Sequence, residues 1–403
     1  MQRRLSGRLV IWRKVGKPQC ETRPIRQFCL LFSAVGCDMQ DMAYDLDTLP
    51  LEELLVPVAD ATAALARLDE RLARSPIREG MIQRLHMHDA VASMWLEGEL
   101  IHLEDLVLHD ALMDSRTPSH ALTVGHAVVR LRRQIMGRAP GWALSPAGIQ
   151  QLLGRNFHVE APTIEEGAEP ENNEEADSLF NDVDALLART DALLKGAVKS
   201  TPASNSRTTP AEMDSLLYDE DWDEQERLQE WQEGFARTSS LPVLLRAALM
   251  HDAWFSAEVV QRSAWIGRIF TASYLRQSGI AAGHLPAISL GLRTKRPDER
   301  RSTNRLTRLK TFLSAMVETA DAGMKEHDRL MLAREQMQLK LKGRRSNSRL
   351  PQLIDMMMRN PLVSSQMVEK ELAVTQQGAL KLIADLNLRE ITGRGRFRAW
   401  GIL

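Results

Sequence analysis

Cysteine is almost missing from this sequence, and Cys20, Cys29 and Cys37 all fall within the first 40 residues. Beyond Cys37 no disulfide and no thiolate metal site can form, which suits a reducing cytoplasm, the expected location. Aromatic residues make up only 5% of the chain. Leu, Ala, Met, Arg and Glu dominate instead, a bias towards helix over sheet. No segment approaches the roughly 20 consecutive apolar residues of a bilayer-spanning helix, so a soluble protein without a membrane partner is expected. Also missing are a Walker-type phosphate loop, a GxSxG nucleophile elbow and an HExxH zinc helix. The ten histidines form no metal constellation. His86 and His88, two apart, fall on different faces of a helix, and His102 and His109 beside Glu104 and Asp105 read as a solvated face. No metal and no cofactor is expected.

Charge is present in near balance, 52 Lys/Arg against 53 Asp/Glu, yet it is unevenly distributed. Residues 291–403 carry 23 Lys/Arg against 12 Asp/Glu, and residues 1–42 carry 8 against 3. The stretch between them therefore holds a net charge of −17 for the whole to reach −1. A basic end that meets polyanions and an acidic middle that does not is the simplest reading.

Five regions follow. Residues 1–42 are a basic extension, expected to be poorly structured or to be upstream sequence read from an early start codon, with Met39 or Met42 as the natural beginning. Ala34–Cys37 has the look of a lipobox, but the apolar run before it is too short and its leader too long. Residues 43–155 form an N-terminal helical region, in which Leu54, Val58, Ala61, Leu65, Leu68 and Leu72 recur at helical spacing. Pro118 breaks the pattern and Ser119 caps a helix that runs to about Gly137. Residues 156–238 are an acidic insertion, largely disordered by composition, with ten acidic residues and no Lys or Arg between Glu160 and Asp184. A short helix over Leu179–Leu194 is expected inside it. Such a run is a solvated surface insertion, or a decoy that competes with DNA for the basic C-terminus. Residues 239–342 hold the most sustained apolar helical periodicity, over Leu241–Gly279, and then a long helix over roughly Leu306–Leu341.

Residues 343–403 read as a winged helix-turn-helix. One helix covers Leu350–Arg359, Ser364 caps a second through Leu372, and Thr375 caps a third to about Leu386. Two short β stretches are expected around Gly393 and Gly395. Thr375, Gln376, Gln377 and Lys381 lie at the reading end of the third helix, where Gln can bond adenine and Lys guanine or phosphate. Arg394, Arg396 and Arg398 alternate, which places them on one face of a strand as a phosphate clamp. DNA is the expected partner.

Several segments together resemble the Fic proteins, helical enzymes that transfer AMP or related groups to hydroxyl side chains. ALARLDERLAR and ASMWLEGELIHLEDLVL look like the Fic N-terminal region. Within the latter, Ser93, Glu97 and Gly98 match the inhibitory (S/T)xxxE(G/N) helix. Leu244–Arg276 looks like the core helix pair, and the C-terminal module like the winged helix many Fic proteins carry. The arrangement is similar to an uncharacterised rhizobial family of unknown function with a C-terminal helix-turn-helix. The resemblance implies a mostly α fold, a Fic-like helical bundle followed by a small winged helix-turn-helix domain.

The catalytic loop departs from that pattern. Ala257–Trp265 holds no histidine where the family's general base belongs, and the Gly-Asn-Gly turn that cradles phosphate has lost both glycines. Trp265 stands where the arginine that would pair with the inhibitory glutamate is expected. Gly267 and Arg268 alone remain as a vestigial nucleotide site, and nothing in the spacing argues for Glu258 or His251 as a substitute base. AMP transfer by the usual route is not expected, and no catalytic residue is assigned. The expected function is a sequence-specific DNA-binding regulator whose catalytically silent body serves dimerisation or sensing. The alternatives are an atypical Fic-type AMP transferase and an antitoxin-like or scaffold protein.

Overall fold

A computed structural model describes residues 49–113, 117–154, 222–261, 263–341, 348–391 and 398–402. The basic extension, the expected helix over Leu179–Leu194, and Arg394 and Arg396 lie outside these residues.

The first helix, α1 (Leu51–Ala73), buries the whole stripe of Leu54, Val58, Ala61, Leu65, Leu68 and Leu72. It lies along α11 (Arg305–Leu339), the longest helix. The two backbones come close where α11 carries Gly323, since a Cβ there would meet Leu68 at 2.7 Å. Between them in the chain come α2 (Arg78–Leu96), α3 (Leu103–Asp110), α4 (His120–Gly137), α5 (Pro146–Leu152), α6 (Glu224–Arg237), α7 (Val243–Ser256), α8 (Ile266–Gln277), α9 (Ile288–Leu292) and α10 (Pro297–Arg300). Ser119 caps α4, its hydroxyl accepting from the Leu122 amide at 3.2 Å.

The centre of the bundle is α7 packed on α8. Leu244, Leu245, Ala248, Ile269 and Phe270 are all buried there. Trp231 of α6 joins them, edge-on to Trp254 with ring centroids 5.0 Å apart. This corrects the C-terminal end of the stretch 156–238: residues 224–237 are a helix anchored in the core by the Trp231 indole rather than part of a disordered insertion. Both indoles are satisfied: Trp231 donates to the Met250 carbonyl and Trp254 to the Ala264 carbonyl. Gly267 is a packing residue, because a Cβ on it would lie 2.3 Å from the Trp254 ring.

A second, polar centre lies between α2, α4 and α9. Arg132 of α4, 1% exposed, donates to the Asp89 carboxylate at 2.7 Å and to the Leu285 carbonyl at 2.8 Å. Asp89 also accepts from the Ser289 amide at 2.8 Å. Arg132 Nε donates to His86 Nδ1 at 3.2 Å. Burial, reinforced by the Arg132 charge, pushes the His86 pKa well below the usual imidazole range, so the ring stays neutral. A buried ion pair is tolerated only where remaining donors and acceptors are satisfied, and here backbone carbonyls and an amide supply most of them.

The C-terminal module consists of α12 (Leu350–Arg359), β1 (Leu362–Ser364), α13 (Ser365–Leu372), α14 (Gln376–Leu386) and β2 (Ala399–Gly401). Ser364 and Thr375 cap α13 and α14 through their hydroxyls, each accepting at 3.2 Å. Ala373 turns the chain between them with φ 49°. The strands pair antiparallel, with Val363 opposite Trp400. Strand β2 and the antiparallel bridge between Glu390 and Trp400 lie on either side of Gly393 and Gly395, as the sequence suggested, and the strand it did not show is β1, which precedes α13. Its three residues are all buried, so no alternation marks them, and Pro361 with Ser364 reads simply as a helix break and a cap. The fold is mostly α with a small two-stranded helix-turn-helix module at the end.

Candidate functional site

The end of α14 that follows the Thr375 cap is exposed. Gln376, Gln377 and Lys381 are all exposed, and Gln377 and Lys381, four apart, share one side of the helix. Inward-facing Ala379, Ile383 and Leu386 hold the opposite side against the module core. Residues 343–403 carry 10 Lys/Arg against 5 Asp/Glu, so the module as a whole is basic. Arg398 is not a free phosphate ligand. Its guanidinium donates to Glu390 at 2.6 and 3.0 Å and lies over the Trp400 ring. Hydrogen bonding to Arg398 lowers the Glu390 pKa and the same bond raises that of Arg398, so the pair stays charged.

The module is fixed to the body by a residue that sequence reasoning missed. Arg84 of α2 is 1% exposed and faces the C-terminal end of α12. Its guanidinium donates to the carbonyls of Met357, Met358 and Asn360 at 3.1, 2.9 and 3.0 Å. It also donates to Gly80 within α2 and to Ile402 beyond β2. Carbonyls at a helix C-terminus have no intrahelical donor and carry the negative end of the helix dipole, so a buried cation is well placed there. Burial lowers the Arg84 pKa to about 10, still far above neutrality. The signal available in the sequence was only an arginine in a helix that mixes apolar residues with Glu79, Gln83, His86 and Asp89.

At its other end α2 reaches a cavity of about 450 Å³. Ser93 and Glu97 both meet Arg268 of α8 there: Arg268 donates to Ser93 Oγ at 2.9 Å and to Glu97 Oε1 at 2.5 Å. This corrects the expectation that Trp265 occupies the position opposite Glu97. Trp265 is buried at the start of α8, and Arg268, one turn later, supplies the guanidinium. Gly98 ends the helix with φ 89°, a left-handed conformation open to glycine. Arg300, Arg301 and Arg308 also line the cavity. Asp252 is bidentate to Arg308, at 2.6 and 3.0 Å. His251 lines the same space, its ring against Phe255 and Phe312. Burial and the Arg268 charge lower its pKa to about 3, so it is neutral at physiological pH. Glu258 lies at the rim, exposed, with φ 46°.

Among the described residues, no group of three or more His, Cys, Asp or Glu could hold a metal ion. No described helix is long and apolar enough to cross a membrane.

A mostly helical body followed by a small module of three helices and two short strands has the form of a protein with a helix-turn-helix domain, and the family description "HTH DNA binding domain" matches residues 350–403. Residues 216–342 match the description "Protein of unknown function (DUF1612)". The chain is 44% identical over 381 residues to the uncharacterized protein y4cF of Sinorhizobium fredii, covering 90% of this chain and 100% of that one. The chain belongs to the family of that rhizobial protein.

Proposed function

We propose that this protein is a sequence-specific transcriptional regulator that reads DNA with α14, and that its helical body is a catalytically silent, Fic-like scaffold for dimerisation or sensing. The observation that carries the reading is the exposed end of α14, where Gln376, Gln377 and Lys381 project from the capped turn at Thr375. Two amides and a cation at that end suit base edges in the major groove. Arg394 and Arg396 would add phosphate contacts from the wing, and Arg398 would join them when released from Glu390.

The pairing of Ser93 and Glu97 with Arg268 supports the Fic-like reading of the body. A silent site fits the titration of the one histidine in the cavity. A base with a pKa of about 3 has little driving force to take a proton from a hydroxyl.

The test is selection of bound sequences from random duplexes with the full chain, followed by affinity measurements. Recovery of a discrete motif is expected. Gln377→Ala should weaken binding to that motif selectively, and Arg396→Ala should weaken all duplexes alike. The reverse pattern would refute this orientation of the module, and recovery of no motif would favour a scaffold. Labelled ATP incubated with the chain should transfer no label; transfer lost in Arg268→Ala would favour the enzyme.

A further inference from the structure

We infer that the outward face of α1 is the surface on which two copies of this chain pair, their helices running antiparallel and crossing at Ala63. The inference rests on the dimerisation proposed for the body and gives it a place; the reading end of α14 takes no part in it.

Helix α1 buries Leu54, Val58, Ala61, Leu65, Leu68 and Leu72 against the bundle. The opposite side of a surface helix ordinarily carries charge. Here that side runs Glu52, Val56, Ala59, Ala63, Ala66, Glu70, Ala73, in steps of four and three that keep one face in line, and all seven are exposed. Between Glu53 and Arg67 the only charged residue is Asp60. Val56 is 67% exposed and Leu55 beside it 61%. Apolar side chains of this size gain by leaving water. A shallow groove lies beside the second half of the helix. Met324 and Met331 of α11, both half-buried, line it together with Arg67, Arg71 and Arg74.

Charge selects the occupant. Of the exposed positions on α1, the first half holds Glu52, Glu53 and Asp60. The second half holds Arg67, Arg71 and Arg74, with Glu70 its one acid. A helix acidic at one end and basic at the other complements a second copy of itself when that copy runs the opposite way. With Ala63 on the two-fold axis, Glu52 comes level with Arg74 of the partner subunit and Asp60 with Arg67 of the partner subunit, and each pair occurs twice. Glu53 and Arg71 are already paired with Lys310 and Asp328 of α11, so the contacts between copies fall to the other four. Arg74 also pairs with Glu70 one turn back, an exposed contact that is readily exchanged. Val56 of one copy then lies over the second half of the other, beside the methionine-lined groove. Ala59, Ala63 and Ala66 end at Cβ, and the distance between packed helices is set by such residues, so the two backbones can approach closely. A parallel pair would instead set Asp60 against Asp60 and Arg67 against Arg67. Two bodies related by this axis carry two reading helices related by it as well, the arrangement that suits an inverted repeat in DNA.

The test is the oligomeric state of the full chain, measured by sedimentation at micromolar concentration without DNA. The parent chain should be a dimer. Ala63→Arg places two guanidinium groups together on the axis, and Asp60→Arg or Arg67→Glu sets like charges opposite each other. Each should weaken dimerisation by about ten-fold or more. The combined variant Asp60→Arg/Arg67→Glu restores opposite charges across the axis and should restore the dimer, as should mixing the two single variants. All three positions are exposed, and an unchanged circular dichroism spectrum checks that the fold is kept. A monomeric parent chain overturns the proposal and leaves the face to a different partner. A dimer indifferent to all three single substitutions places the contact elsewhere. Monomeric single variants that the charge exchange does not rescue refute the antiparallel register. Failure in any of these leaves the DNA reading of α14 standing, whereas a dimer of this kind that selects no DNA motif refutes that reading and keeps the surface.

Discussion

Gly80 and Met358 meet backbone to backbone: a Cβ on Gly80 would stand 1.7 Å from the Met358 carbonyl oxygen. That oxygen is also one of the acceptors of Arg84. Gly80→Ala must therefore separate α2 from α12 and stretch the Arg84 bonds. We expect a loss of about 1–3 kcal/mol, the usual range for overpacking a tight contact, read from urea unfolding. A variant as stable as the parent would mean that the two helices do not touch in solution.

Asp89 and Arg132 form a pair almost wholly removed from solvent, with side chains 3% and 1% exposed. Removing one charge leaves the other uncompensated in the core. Asp89→Asn should cost about 3–5 kcal/mol. Combining it with Arg132→Met should recover part of that loss, so the double variant is more stable than the single one. Additive losses in the cycle would argue that the pair is not coupled.

His251 links stability to pH. Its folded pKa of about 3 is depressed below the unfolded value near 6.5. The unfolded chain therefore binds a proton that the folded chain refuses. Stability from this group is full above pH 6.5 and falls as the pH drops towards 3. For His251 alone the loss between pH 7 and pH 5 comes to about 2 kcal/mol, and buried His86, shifted in the same direction, adds to it. Replacing His251 with Gln should flatten the curve of unfolding free energy against pH in that window. An unchanged slope would show that the ring is accessible to protons in the folded state.

Glu390 restrains a cation of the helix-turn-helix module by pairing with Arg398. Glu390→Gln should free that guanidinium for phosphate. Affinity for any duplex should rise, and the slope of log affinity against log salt should steepen by about one. Unchanged slope would place Arg398 away from the nucleic acid.

How much of this was readable in the sequence varies by element. The stripe on α1 was plain because only one side of that helix is covered, and the caps Ser119, Ser364 and Thr375 stood out because each is a hydroxyl residue just ahead of a stretch with helical periodicity. Helix α2 was the hard case. It is covered on nearly every side and buries Arg84, His86 and Asp89 among its apolar residues, so its pattern lacks the polar face that normally reveals orientation. A charged residue that will be satisfied by carbonyls from 270 and more residues away looks, in one dimension, like any solvent-facing arginine. The cavity was half legible. Ser93, Glu97 and Arg268 were each singled out, but their meeting depends on how α2 crosses α8, and Arg300 and Arg301 read only as part of a basic stretch.

The bond from Arg84 to the Ile402 carbonyl spans 318 residues of sequence. During synthesis, α2 emerges long before the segment that satisfies this guanidinium. Until then the arginine has no carbonyls from α12 to hold it, and the seat for the module is open on the nascent body. Completion of the fold is thus a late event, since contacts so remote in sequence close only after most of the chain is in place. A ribosome stalled within the C-terminal module would leave a body whose α2 still faces water at Arg84, a difference that pulse proteolysis of nascent chains can detect.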